Sequence, residues 1–517
     1  MNNNERIELH RTIWAIANDL RGSVDGWDFK QYVLGMLFYR YISENITNTI
    51  NADEHEAGNT EFDYAKISDK KAEEIKEDLV NLKGFFIYPS ELFINLKERA
   101  ENDEDLNITL ENIFRNIENS SQGTESEGSF RGLFDDIDVN SNKLGATVRK
   151  RNANLVKLIN GIGDMKLGNY QDNTIDAFGD AYEYLMAMYA SNAGKSGGEY
   201  YTPQEVSELL TRLTIVGKTE VDKVYDPAVG SGSLLLNFAK ILGKDNVRQG
   251  FYGQEVNIST YNLCRINMFL HDIPYDKFDI AHEDTLINPQ HLDDGPFDAI
   301  VSNPPYSIKW EGDNNPLLMN DPRFSDAGVL APKSKADLAF IMHSLSCLSS
   351  KGTAAIVCFP GVMYRGGAEQ KIRKYLIDNN FVDCIIQLPE NLFFGTPIAT
   401  CIMVLKKSKK ENKTLFIDAS KEFIKVTNNN KLTEENIQKI ITTYTERKDK
   451  IEYLSKLVRN EDIEKENYNL SVYTYVDQED KREIIDIKVL NSEIKEIVSR
   501  EVSLRDEIEK IISEIEV

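Results

Sequence analysis

The hydrophobic pattern changes twice along the chain. Up to about residue 165, apolar positions recur at helical spacing. Leu9, Ile13, Ile16, Ala17 and Leu20 share one face, and Phe29, Val33, Leu34, Leu37, Phe38, Tyr41 and Ile42 repeat the pattern more densely. Residues 51–78 are strongly charged and read as an exposed helix with loops. Residues 119–129 form a polar, low-complexity loop, expected to be mobile and able to close over a ligand. From about 170 to 420, short apolar runs alternate with helical stretches. Strands are expected at Lys223–Tyr225, Val247–Gly253, Phe278–His282, Phe297–Val301, Thr353–Cys358, Phe381–Gln387, Ala399–Leu405 and Thr414–Asp418. This alternation predicts an α/β fold, a mostly parallel sheet covered by helices on both faces. Ligands then bind beyond the carboxyl ends of the strands.

Residues 431–517 read as helix again. The last part carries a seven-residue repeat, Ile487, Leu490, Ile494, Ile497, then Leu504, Ile508, Ile511 and Ile515, interrupted at Glu501 and widened by Val498, Val502 and Ile512. Such a seam packs against another helix, either in a partner or in a hairpin with residues 433–458. The expected domains are 1–165, helical; 166–420, catalytic; and 421–517, a helical region for subunit contact.

Composition narrows the class. With 517 residues, 41% hydrophobic and 28% charged, the chain suits a globular protein of two to four domains. No apolar run approaches a membrane span, and the start of the chain lacks a signal-peptide core, so a cytoplasmic location is expected. The five cysteines form no Cys-x-x-Cys pair, so no zinc site or disulfide framework is suggested, and most of them read as small core residues. No His/Asp/Glu cluster has metal-like spacing, and no metal is expected. The net charge of −24 argues against tight, unaided DNA binding, because phosphate neutralisation supplies most such affinity. A protein of this charge that acts on DNA needs a partner to bring it there.

The most specific chemistry follows the Phe297–Val301 run. Asn303-Pro304-Pro305-Tyr306 can grip a planar NH2 group. The Asn303 side-chain oxygen and the Pro304 carbonyl accept its two N–H bonds, and the Tyr306 ring stacks on its plane. Alone the motif can also be a plain turn. Upstream, Asp226-Pro227-Ala228-Val229-Gly230-Ser231-Gly232-Ser233 joins a strand to an apolar helix, with glycines that let a ligand approach the backbone. Leu235 replaces the third glycine of a dinucleotide fingerprint. Glu255, at the end of the next strand, suits a ribose diol. Asp284, after the third strand, suits an adenine amino group. Glu199-Tyr200-Tyr201-Thr202-Pro203-Gln204 either walls a methionine tail or an adenine ring, or is a Thr-capped helix start. A nucleoside pocket beside an amine grip points to S-adenosylmethionine.

Two apparent phosphate-loop endings fail. Gly194-Lys195-Ser196 and Gly217-Lys218-Thr219 have Tyr189 and Arg212 where a glycine is required, so nucleotide hydrolysis is not expected. No Pro-Cys pair exists for attack on cytosine.

Together, Gly-Glu-Tyr-Tyr-Thr-Pro-Gln at 198–204, the 226–233 turn and Asn303–Tyr306 resemble the modification (M) subunit of type I restriction–modification systems. The likeness extends to residues 130–136 and 140–145 and weakens over 50–80 and beyond 420. It implies a Rossmann-like methyltransferase sheet and N6-adenine methylation of DNA with S-adenosylmethionine. It also implies a pair of such chains with one specificity (S) subunit that reads the site, and a restriction (R) subunit that binds this core. Cofactor contacts fall on Glu199 to Gln204, Ser231, Gly232, Ser233 and Glu255, and the target adenine on Asn303 to Tyr306. Phe324 or Phe393 is expected to face Tyr306 across the flipped base. The heptad tail is expected to dock on S-subunit helices. The same motif also serves methylation of protein glutamine amides or ribosomal guanine, and a non-catalytic scaffold is a further alternative.

Overall fold

The computed structural model of the protein describes residues 3–20, 26–167, 177–192, 201–426, 429–479 and 487–515. Among the residues singled out above, Gly194 to Tyr200 lie outside this set, as do the side chains of Ala17, Leu20, Phe29 and Tyr189.

All eight expected strands form. They are β1 Val221–Asp226, β2 Val247–Glu255, β3 Phe278–His282, β4 Phe297–Ser302, β5 Leu348–Cys358, β6 Val382–Gln387, β7 Cys401–Lys406 and β8 Lys413–Asp418. The inner strands are apolar almost throughout because both faces are covered: every residue of β6 is buried, and only the last of β7 is not. β3-β2-β1-β4-β5 run parallel in that spatial order. β1 is therefore the point where the chain turns from one half of the sheet to the other. The carboxyl ends of β1, β2, β3 and β4 lie along one edge at that reversal.

The sheet is more mixed than expected. β7 lies between β5 and β6 and runs against both. The β6–β7 connection, residues 388–400, holds no helix that could carry the chain back for a parallel return. The sheet also continues where only helix was expected. β11 Lys450–Ile451 and β12 Ser455–Arg459 extend it antiparallel beyond β8, and β9 Ile424–Val426 pairs with β10 Asn429–Lys431 in a separate hairpin. These strands are short and polar, so they leave no apolar run to read.

The N-terminal lobe is helical, with helices at Asn3–Leu20, Gly26–Glu56, Leu106–Ser120 and Val148–Gly163. Leu9, Ile13 and Ile16 are buried, as are Val33, Leu34, Leu37, Phe38, Tyr41 and Ile42. The polar stretch 119–129 is pinned rather than free. Ser126 Oγ donates to the Gly84 carbonyl at 2.7 Å, Gly123 N–H donates to Glu127 Oε2 at 2.8 Å, and Phe130 is fully buried behind them. Its side chains bond their own backbone, which gives an ordered turn in place of the expected lid.

The chain divides into two compact units, Met1–Val476 and Asp477–Val517. The second contains the helix Ile487–Ile515, none of whose described side chains is buried. Within the first unit, the apolar face of the helix Glu434–Glu446 is already buried at Ile437, Ile440 and Tyr444. Among the described residues, all five cysteines are buried, and no helix is long and apolar enough to cross a membrane.

Candidate active site

The glycine turn follows β1. Gly230 and Gly232 have φ of +55° and +81°, the left-handed region where a side chain is strained. A Cβ on Gly232 would stand 2.8 Å from Cys264 Sγ. The turn is held from several directions. Val229 N–H donates to the Gln254 carbonyl at 3.1 Å, and the buried Asn267 amide donates to the Ser231 carbonyl at 2.7 Å. Ser233 opens the helix Ser233–Leu242, whose first N–H groups face the turn. Gly232→Ala should therefore destabilise the folded chain by at least roughly 1–2 kcal/mol, the cost of a left-handed non-glycine residue before the clash is counted. Thermal melting reads this directly, and an unchanged midpoint contradicts it.

Three carboxylates lie along this edge. Glu255 is half-buried and burial raises its pKa. Its Oε2 accepts Gly230 N–H at 3.1 Å and its Oε1 accepts Asn257 N–H at 2.9 Å. It thus fixes the glycine turn, and each oxygen keeps a lone pair for a diol. Asp284 is half-exposed, and its Oδ1 accepts the N–H groups of Leu286 and Ile287 at 2.9 and 3.4 Å. Asp226, the last residue of β1, is fully buried. Its Oδ1 accepts Ala228 N–H at 3.0 Å, and the Ser302 hydroxyl lies beside the carboxyl.

Burial raises the Asp226 pKa to about 7. A folded-state value above the unfolded one means that the protonated form is favoured by folding. The contribution is full below about pH 4 and is lost as pH rises through about 7. Melting curves from pH 5 to 8 should show the wild type losing stability relative to Asp226→Asn, by up to about 3 kcal/mol. Parallel pH profiles for the two proteins count against this.

At the end of β4, Asn303 and Tyr306 are half-buried and in contact. The Tyr306 hydroxyl donates to Asn303 Oδ1 at 2.6 Å, and Asn303 Nδ2 donates to Thr202 Oγ1 at 3.0 Å. Thr202 stands ahead of the helix Gln204–Thr214, whose cap position is Pro203. Its hydroxyl therefore reaches the target motif instead of capping the helix. Tyr201 is buried and its ring lies 5.8 Å from Phe394. Pro304 is buried and Pro305 half-buried. The 201–204 segment and the Asn303 motif, far apart in sequence, thus form one wall beside the glycine turn.

Other neighbours carry no clear mark in the sequence. Ser307, with φ of +53°, donates its N–H to both oxygens of the buried Asp337, at 3.2 and 3.1 Å. Asp337 begins the helix Asp337–Cys347 and so locks the residue that follows Tyr306. An aspartate at a helix start was readable, but its partner was not. The ring that approaches Tyr306 is Phe359, 6.5 Å away. Phe324 and Phe393 are both buried, Phe324 against Trp310 at 5.6 Å. Their apolar side chains are drawn from the loops into the core. Tertiary structure also gathers Asp279, His291 and Asp294, with donor atoms within 4.8 Å, although their spacing suggests no metal site. The His291 nitrogens contact Asp294 Oδ2 and the Gly253 carbonyl, both at 2.9 Å.

The arrangement gathers the buried Asp226, the half-buried Glu255 and the Asn303–Tyr306 pair at neighbouring strand ends. Comparison with known proteins defines the family. The N-6 DNA Methylase family model matches residues 173–484, and the HsdM N-terminal domain model matches residues 9–162. The chain belongs to the N-6 DNA methylase family. It is 49% identical to the type I restriction enzyme MpnII methylase subunit of Mycoplasma pneumoniae, over 99% of this chain and 97% of that one. The type I restriction-modification methyltransferase subunit from Streptococcus thermophilus has a similar crystal structure: TM-score 0.80, 36% identity, covering 91% of this chain and 100% of that one. A modification subunit of a putative type I restriction enzyme from Vibrio vulnificus shares the fold at TM-score 0.59 and 16% identity, covering 88% and 93%. The chain is thus a DNA methyltransferase of the type I methylase-subunit kind, on the fold of a type I restriction-modification methyltransferase subunit.

Proposed function

We propose that this chain methylates adenine at N6 in double-stranded DNA with S-adenosylmethionine, as the modification subunit of a type I complex. Two copies join one specificity subunit that selects the site, the restriction subunit binds this core, and methylation protects host DNA. The observation that carries this reading is the contact of Asn303, Tyr306 and Thr202 at the end of β4, beside the Asp226–Ser233 turn.

The residues fit the cofactor. The left-handed glycines leave its approach open, and Glu255 has lone pairs for ribose hydroxyls. Tyr201 to Gln204 wall the crevice, and Asp284 stands at its nucleobase side. Glu199 and Tyr200 are assigned there by motif alone. The cofactor, when bound, supplies an electrophilic sulfonium methyl.

The protein's work is positioning. An adenine inside a duplex must be flipped out to reach Asn303. Tyr306 stacks on the base, and Asn303 Oδ1 and the Pro304 carbonyl accept from its amino group. The N6 lone pair is delocalised into the ring. Two fixed acceptors favour a pyramidal nitrogen whose lone pair points at the methyl group. The proton leaves after transfer, so no strong base is needed.

The test is a radiolabelled methyl assay on the chain co-expressed with its specificity partner, offered DNA, protein and ribosomal RNA. Label in DNA, mapped to N6 of adenine at one sequence, is the expected result. Label in a glutamine amide or in guanine, or in nothing, overturns the proposal.

A further inference from the structure

We infer that the N-terminal lobe is a working part of the cofactor site through Asp136, a positioning residue for Glu255. The inference rests on the methyl-transfer reading above and extends it. The segment Phe130–Asp136 is fastened to the helix Ile258–Leu270, which starts three residues after Glu255. Asp136 Oδ1 accepts the Ser259 hydroxyl at 2.8 Å, and Oδ2 accepts Asn262 Nδ2 at 3.1 Å. Asn262 Oδ1 accepts from Arg265 Nη2 at 2.5 Å.

Arg265 is almost completely buried. Its Nη1 donates to the carbonyls of Gly128, Ser129 and Arg131 at 3.1, 3.3 and 3.0 Å. A buried guanidinium that satisfies a backbone turn of the other lobe is costly to leave unpaired, so the turn and the helix hold one another. Phe269 completes the junction, 4.7 Å from Phe130 and 5.9 Å from Phe38.

The cofactor edge lies at the other side of the same helix start. Asn257 caps the helix by accepting Thr260 N–H at 3.0 Å, and its own N–H is held by Glu255 Oε1. Glu255 Oε2 holds Gly230 N–H. The first helical turn is thus clamped between two carboxylates, Asp136 from the lobe and Glu255 from the sheet. The Glu255 lone pairs left for a diol keep their aim only while that turn stays in place. A misplacement of about 1 Å in such a group can cost a hundredfold.

Titration of S-adenosylmethionine into the full-length chain by calorimetry, with melting temperatures recorded, tests this. The variants are Asp136→Ala, Ser259→Ala, Glu255→Gln and the double variant Asp136→Ala/Glu255→Gln. Asp136→Ala should weaken binding about tenfold and Ser259→Ala about threefold, while the double variant should bind within about twofold of Glu255→Gln alone, because both changes act on one contact. A merely structural role would lower affinity independently of Glu255, and the losses would multiply. Multiplying losses, or wild-type affinity in Asp136→Ala, overturn the inference. If Asp136→Ala unfolds the chain, Ser259→Ala alone and combined with Glu255→Gln gives the same comparison. A wild-type chain that binds no S-adenosylmethionine overturns the methyl-transfer reading as well.

Discussion

Asn303→Ala should lower the methylation rate about a thousandfold while cofactor affinity stays within about twofold of wild type, the size expected for losing one preorganised polar group aimed at the reacting atom. The side chain sits at the end of β4, and its Oδ1 already meets a donor, the Tyr306 hydroxyl. A target amine would take that place or share the oxygen. Alanine leaves the Pro304 carbonyl as a lone acceptor, which cannot by itself pyramidalise the nitrogen. Tyr306→Ala should cost about ten- to a hundredfold, because base–aromatic stacking is worth roughly 1–3 kcal/mol. Tyr306→Phe separates the two roles: it keeps the ring, loses the hydroxyl that orients Asn303, and should retain most activity. Single-turnover methylation of a cognate duplex by the assembled enzyme reads all three. Full activity in Asn303→Ala or Tyr306→Ala would falsify the assignment of the motif.

Replacing Ile497 and Ile508 together with aspartate should abolish methylation of DNA by the assembled complex without changing S-adenosylmethionine binding. Both side chains are more than half exposed on the helix Ile487–Ile515, in a seam that also includes Leu490, Ile494, Leu504, Ile511 and Ile515. A contiguous apolar stripe of this length is rare on a free surface. Burying two isoleucines against a partner is worth about 3 kcal/mol, so losing both costs more than a hundredfold in partner affinity even before the charges are counted. The double variant should elute apart from the specificity subunit in size-exclusion chromatography, and its DNA methylation should vanish with the complex. Co-elution at wild-type stoichiometry would exclude this helix as the subunit contact.

Legibility differed by element for physical reasons. β4 and β6 were readable because a strand covered on both faces must be apolar at nearly every position. β12, Ser455–Arg459, alternates and carries two charges at an outer position of the sheet, so it resembled loop. The antiparallel insertion of β7 had no local signature at all, since orientation depends on the whole 388–400 connection. In the site, the glycine turn and Asn303–Tyr306 stood out because their residue types are demanded by backbone conformation and chemistry. Asp337 and Asp136 did not, because an aspartate on a helix or loop looks the same whether it faces water or a distant N–H group.

The sequence by itself determined the eight strands of an α/β sheet, and it marked the 226–233 turn and Asn303–Tyr306 as the segments of special residue type. Each follows from local periodicity or from a few adjacent residues. Tertiary structure alone decided that Thr202 meets Asn303, that Glu255 holds the glycine turn as well as facing the crevice, and that residues 130–136 brace that carboxylate from another lobe. Those contacts join residues from 25 to more than 100 positions apart. No periodicity encodes them, because they exist only once the strands are in order and the helices are packed against them.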